Sequence, residues 1–467
     1  MKRFHKTLLS AAVSGALLFS AQAAEPQNTA QDILQSTLPV VQQEWKNTGT
    51  ISTTSFSDEN YSVQISELLP QKQLYTIRLS MTGADSSSRP KSGVLNPQTG
   101  TLLVPVEYDS IQPLSDGTML LWKFDSAQTS YWFADETGAL TPMKLPSGYE
   151  LATYEPNSNV FILFKNVKKP VYDPYSGDGP ATLVEDVPFF ALADKDMNII
   201  LDDIDMVPDW YADFFIVKTG STKWERVDKA SADGNGTYGL FDPKTGKFVG
   251  KHDFNQIFWY DQHFIGTRSS GTKSYLLDGK GGETLLPANV KEYSSWAKTE
   301  VAAAGEHGLT ESFSYPKLDI TRANFTQLAM RLYRKVYPEK EIPKLENQFT
   351  DCNDADVAAD VRDAAALGIV TGYSANTFRP YKTISRQEAA TMLDRLYAAL
   401  GGQTELIADP AYADDAQLGD WARGSVYAMR QTGIMQGKSD NRFCPKDGYT
   451  AEQAIVTMER LYQLITP

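Results

Sequence analysis

Two arginines stand where a helix would sooner carry an acid. Arg322 follows Thr321 and Arg386 follows Ser385, and an apolar pattern of helical spacing begins at once after each: Phe325, Leu328, Ala329, Leu332 and Val336, then Ala389, Met392, Leu393 and Leu396. Ser and Thr are preferred N-caps because the hydroxyl accepts from an otherwise orphan backbone N–H. Glu388, three residues after Ser385, closes a capping box. A helix N-terminus already carries positive partial charge, so an arginine there adds cation to cation. With free backbone N–H groups it would make an anion site, and a guanidinium grips a carboxylate through two hydrogen bonds. For one isolated helix a solvated arginine beside an ordinary cap is the plainer reading; repetition shifts the balance.

The elements that must position these residues occur three times. Thr321-Arg322-Ala323-Asn324, Ser385-Arg386-Gln387-Glu388 and Thr450-Ala451-Glu452-Gln453 start 64 and 65 residues apart (385 − 321; 450 − 385), and each reaches Arg-Leu-Tyr ten residues later. Thr450 with Gln453 fits a capping box, whereas Thr321 with Asn324 fits poorly. Gly368-Ile369-Val370-Thr371-Gly372 and Gly433-Ile434-Met435-Gln436-Gly437 both begin 17 residues before their helix start, and Phe378-Arg379-Pro380 and Phe443-Cys444-Pro445 begin seven before it. A period held this closely is one structural unit used three times: helix, Gly-bounded turn, Pro loop, capped helix. Trp296-Ala297 and Trp421-Ala422 mark the first helix in the first and third units.

These motifs resemble the S-layer homology domain, with Phe349-Thr350-Asp351 and Tyr412-Ala413-Asp414 similar to its aromatic-Asp start and Ile384-Ser385-Arg386-Gln387-Glu388 to its last motif. The resemblance covers about residues 289–466. It implies an all-α pseudo-threefold helical prism that binds secondary cell-wall polysaccharide attached to peptidoglycan, often through a pyruvate ketal carboxylate. It also implies carbohydrate binding at Arg322, Arg386, Thr321, Ser385, Glu388, Thr450 and the loop glycines Gly372 and Gly437. The first unit lacks the Gly-Ile-Val-x-Gly turn and the third has Ala451 in the arginine position, so Arg386 stands in the most complete unit and two arginine-bearing grooves are expected.

Lys2, Arg3 and Lys6, the apolar run Leu8 to Phe19 and Ala21-Gln22-Ala23 read as a secretory signal peptide over 1–23. No other stretch approaches transmembrane length. Net charge is −14, or −17 once those three basic residues are removed (−14 − 3). That excludes a general nucleic-acid footprint and requires any wall contact to be local. Cys352 and Cys444 are the only cysteines, so one disulfide is possible and two free thiols are the alternative.

The first half is of another kind. Residues 24–54 are polar and weakly helical around Ile33, Leu34 and Leu38, with Pro39 interrupting. Over 55–288 short runs alternate apolar and polar residues, as in Tyr61-Ser62-Val63-Gln64-Ile65. Asx and Gly recur at turn spacing: Asn96 to Gly100, Asp135 to Gly138, Asp194 to Asp196, Asp242 to Gly246 and Asp278 to Gly281. This is weakly similar to WG-type β repeats, which implies an all-β repeat domain, propeller-like or a β array. Domains are therefore expected at 24–54, 55–288, 289–345, 346–405 and 406–467.

Catalytic chemistry finds little purchase. His252, His263 and His307 have no zinc-binding spacing, and no nucleophile elbow, phosphate loop or dinucleotide fingerprint occurs. Asp202, Asp203, Asp205 and Asp209 read as a solvated acidic loop, and Asp233-Gly234-Asn235-Gly236-Thr237 as a turn. No cofactor or metal is implied. The expectation is a non-enzymatic, exported surface protein anchored to the wall polymer, with an unidentified ligand for its β domain. A wall-anchored hydrolase using Asp/Glu pairs and a structural S-layer lattice protein are the alternatives.

Overall fold

A computed structural model describes residues 30–466 except 53, 83–88, 126–127, 175–180, 227–231, 269–272, 311–312, 346–348, 353 and 405–410. Residues 1–23, expected from the sequence to be a signal peptide, and the end of the Pro-rich loop leading to Pro180 lie outside the described residues. The chain divides into two compact units, Met1–Leu163 with Ala193–Ile199, and Phe164–Leu192 with Ile200–Pro467.

In the first unit, α1 (Ala30–Thr48) runs straight through Pro39. The expected interruption does not occur. A proline inside a helix costs about 3 kcal/mol, but α1 buries Ile33, Leu34 and Val41 against Val63, Ile65, Tyr75, Ile77 and Leu95, and each such side chain contributes roughly 1.5–3 kcal/mol. Those partners belong to a five-stranded sheet of consecutive strands, Ser55–Ser57, Tyr61–Leu69, Leu74–Met81, Lys91–Asn96 and Thr101–Tyr108. A four-stranded sheet follows, from Ser110–Pro113 to Leu140–Pro142.

The expected turns are hairpins closed by the same device. Asn96, Asp135, Asp194, Asp242 and Asp278 each accept, through Oδ1, the N–H two residues on, at 2.8–3.0 Å. Gly100, Gly138 and Gly246 take the left-handed conformation there, and Met197 does so where glycine is absent. A ten-stranded sheet contains one parallel pairing, Val160–Asp173 with Trp224–Arg226, and the second unit adds a four-stranded meander over Gln256–Tyr260, His263–Arg268, Lys273–Leu277 and Glu283–Leu285. Among the described residues the sheets are open: none closes on itself.

Among its described residues the second unit also holds six α-helices: α2 (Lys298–Glu306), α3 (Arg322–Val336), α4 (Ala355–Ala366), α5 (Arg386–Ala399), α6 (Asp420–Gln431) and α7 (Ala451–Ile465). They share one core, with Phe325, Tyr333, Phe378, Phe443 and Tyr449 fully buried. The residues just before the three cap positions bond in a cycle: Ile320 N–H to Tyr449 O (2.7 Å), Tyr449 N–H to Ile384 O (3.1 Å), Ile384 N–H to Ile320 O (3.1 Å).

Candidate functional site

All three helix starts are capped as their sequences require. Thr321, Ser385 and Thr450 accept the N–H of Asn324, Glu388 and Gln453, and Ser385 and Thr450 form full capping boxes. The next two N–H groups, however, are not free. Arg322 and Ala323 donate to Lys382 O and Pro380 O, Arg386 and Gln387 to Asp447 O and Pro445 O, and Ala451 and Glu452 to Leu318 O and Pro316 O, all at 2.9–3.1 Å. Each start is thus finished by the Pro loop of the following repeat, the third by that of the first. The open N–H groups expected from the sequence are absent because buried donors find carbonyls.

The arginines follow the same rule. Arg322 donates Nε to Phe378 O and Nη2 to Thr371 O, both at 2.9 Å, and Arg386 donates to Phe443 O and Gln436 O at the same distance. Both are buried, and no carboxylate pairs with either among the described residues. Their guanidinium groups lie against aromatic rings, Arg322 over Phe378 (4.4 Å) and Tyr373 (4.8 Å), Arg386 over Phe443 (5.0 Å). Burial pushes the Arg322 guanidinium below its usual pKa. Gly372 and Gly437 are packed so closely that a Cβ would meet the Phe349 ring at 2.5 Å and the Tyr412 ring at 2.8 Å.

The surroundings of the two arginines differ outside. Around Tyr373, Arg379 lies 4.6 Å from the ring centre and Lys382 Nζ also 4.6 Å, so with Arg322 three cations converge on one half-exposed tyrosine. Glu388 accepts from Tyr373 Oη at 2.5 Å and lies 3.6 Å from Lys382, and the Asp351 carboxylate accepts the Arg379 N–H at 2.7 Å. At Arg386 the matching positions carry Cys444 and an internally neutralised Lys438–Asp447 pair at 2.6 Å. Positive surface charge is therefore greater around Arg322, while the more complete motif is the one that holds Arg386. The third start has Ala451, buried, beside Glu452, whose carboxylate accepts from Ser294 N and Oγ at 2.8 and 2.9 Å.

Sequence reading missed the part played by Asp351 and Asp414. Asp351 accepts the N–H of Phe378 and Arg379, and Asp414 those of Phe443 and Cys444, at 2.7–2.8 Å. Each clasps the turn before its proline; their recurrence after an aromatic residue was the available signal. The possible disulfide is not made: Cys352 and Cys444 are free. They sit in different repeats, and Cys352 is buried, which pushes its thiol pKa up to about 12. The acidic residues at 202–209 assemble no metal site among the described residues.

The sequence matches the S-layer homology domain over residues 348–390 and 411–450. It is 30% identical over 196 residues to "Exoglucanase XynX" of Acetivibrio thermocellus, covering 40% of this chain and 17% of that protein. It is 31% identical over 166 residues to "Amylopullulanase" of Thermoanaerobacterium thermosulfurigenes, covering 34% of this chain and 9% of that one. It is also 31% identical over 107 residues to "Surface layer protein" of Brevibacillus choshinensis, covering 23% and 10%. The chain thus spans under a fifth of the length of these relatives. Asp351 and Asp414, Gly372 and Gly437, and the capped starts at Ser385 and Thr450 are the structural content of that match to the S-layer homology domain over residues 348–390 and 411–450.

Proposed function

We propose that this is a secreted, cell-wall-associated protein whose helical region is a pseudo-threefold prism binding an anionic secondary cell-wall polysaccharide, such as one bearing pyruvate ketals. The cycle of hydrogen bonds through Ile320, Ile384 and Tyr449 supports the threefold arrangement. The single observation that carries the binding reading is the convergence of Arg322, Arg379 and Lys382 on the Tyr373 ring, three cations against the carboxylates of Glu388 and Asp351. An aromatic face suits a sugar ring and flanking cations suit its carboxylate. In a chain of net charge −14, such a spot is the kind of local site that wall binding requires.

In this reading Arg322 and Arg386 hold two grooves in shape and contribute positive potential from beneath. Thr321, Ser385, Glu388 and Thr450 fix the helix starts, and Gly372 and Gly437 let the loops close. The β region, an array of Asx-closed hairpins with propeller-like consecutive meanders, is displayed at the surface for a ligand of its own, and the chain is a binding protein and not an enzyme. Relatives named for glucanase and pullulanase activity are matched over 17% and 9% of their lengths, so their names do not transfer a hydrolase to this chain.

The test is a titration of the full chain with purified wall polysaccharide, before and after removal of its pyruvate by mild acid. Binding to the intact polymer and its loss on removal are expected. Equal binding to both would end the anion reading.

A further inference from the structure

Repeat one lacks the carboxylate that repeats two and three use to clasp the turn before the proline. Aligned on the helix starts, Ser314 and Tyr315 occupy the positions of Phe378 and Arg379 and of Phe443 and Cys444. Ahead of its first helix repeat one has Tyr293 followed two residues on by Ser295, where repeat three has Tyr412 followed two residues on by Asp414. Tyr293 joins the helical core, and its hydroxyl accepts the Phe313 N–H at 3.4 Å. Serine has no carboxylate to offer the next two N–H groups.

Those N–H groups are nonetheless clasped. Asp261 Oδ2 accepts from Tyr315 N at 2.7 Å, and the Ser314 N–H lies close enough to the same carboxylate to stabilise its charge. Asp261 belongs to the β region. With Gln262 it forms the two-residue tip between Gln256–Tyr260 and His263–Arg268, register-paired at Tyr260 and His263. We infer that this hairpin tip is a working part of the first repeat: Asp261 supplies from a distant segment the clasp that Asp351 and Asp414 supply from their own repeats, so the wall-binding region reaches back into the β-rich part of the chain.

Four further observations bear on this. Asp261 and Gln262 both have positive φ, 50° and 61°, a conformation that Asn-Gly adopts with less strain in such a tip. Retaining two larger polar residues there makes sense if their side chains are used. Gln262 is used, since its Oε1 accepts the Thr321 hydroxyl and its Nε2 lies 3.4 Å from Gln327 Oε1. Asn324, the residue that spoils the capping box of repeat one, donates Nδ2 to Asp261 O at 3.0 Å. The departure from Glu or Gln at this one helix start is thereby accounted for. Finally, Trp259 of the same hairpin meets Tyr381 edge-on at 5.6 Å, next to Lys382 of the Tyr373 cluster. The hairpin therefore touches both the turn of repeat one and the loop that lines the Arg322 groove.

Amide hydrogen exchange on the full chain tests this, with Asp414→Ala as calibration. Asp261→Ala is expected to speed exchange at Ser314 and Tyr315 at least ten-fold, as Asp414→Ala does at Phe443 and Cys444, while Ile265 and Gly266 in the hairpin strand stay protected. Asp261→Asn keeps the side-chain volume, and its single carbonyl oxygen can still accept; an intermediate, several-fold increase is expected, which carries the test if the alanine variant fails to fold. Unchanged exchange at Ser314 and Tyr315 in the folded variants overturns the inference, as does loosening confined to the hairpin strands. A parallel titration with purified wall polysaccharide, expected to show several-fold weaker binding for the Asp261 variants, rests on the wall-binding proposal. If the parent itself does not bind, that proposal falls, while the exchange result still decides the role of Asp261.

Discussion

Arg386 and Arg379 illustrate what a residue's type does and does not disclose. The oddity of arginine at the first helical turn was visible in the sequence. Its partners were not, because Phe443 O and Gln436 O are more than 49 residues away along the chain and no local pattern encodes a carbonyl's direction. Arg386→Ala should leave both carbonyls without their charged donor. A cost of about 3 kcal/mol is expected, since buried groups left unsatisfied cost about 1–3 kcal/mol each, and the midpoint of urea unfolding checks it. Arg379→Gln should instead leave stability nearly unchanged and weaken binding to wall polysaccharide about ten- to a hundred-fold, as loss of a charge-assisted hydrogen bond of about 1.5–3 kcal/mol implies. If the two variants exchange these phenotypes, the assignment of Arg379 to the ligand and Arg386 to the scaffold is wrong. The cysteines give a third expectation. With its thiol pKa near 12, Cys352 should resist alkylation by iodoacetamide at pH 8 in the native chain, since the thiolate is the nucleophile, while half-buried Cys444 reacts first.

Helices α5 and α7 and the Asx hairpins were legible because their signals are local: a cap, a box partner three residues on, an apolar stripe, an Asx two residues before the N–H it accepts. Helix α1 was read as broken at Pro39 because local propensity is what a sequence displays, whereas the sheet face that offsets the proline is non-local. Repeat one was the least legible, since its clasp comes from a hairpin that precedes it. Capping energetics yield a check at this scale. Ser385→Ala should cost about 1 kcal/mol without touching the groove cations. Glu388 adds a pH dependence. Burial raises its pKa, but hydrogen bonds from Tyr373 and Ser385 prevail and hold it below the ordinary value. Its stabilisation is therefore fully present above about pH 4.3, the unfolded value, and is lost as pH falls through the lower folded-state pKa. Glu388→Gln should flatten the acid limb of the stability curve, read as melting temperature between about pH 5 and 3.

Across the whole helical region each repeat finishes its neighbour, with the third closing back on the first through Ala451 and Glu452 to Leu318 and Pro316. The three repeats are expected to unfold as one unit, so exchange protection in α3, α5 and α7 should be lost together with rising denaturant; a chain ending before Thr450 should lose protection in all of them, where independent repeats would lose only the third. The ring also bears on load. A protein held to a wall at one region and pulled from another carries tension, and a linear array of repeats would yield one at a time, each at the strength of its weakest contact. In a closed cycle the bonds at Ile320, Ile384 and Tyr449 and the six at the helix starts share the pull in parallel. Single-molecule stretching should then show one high-force rupture for this region in place of three small ones, the mechanical behaviour of a rivet and not of a zipper.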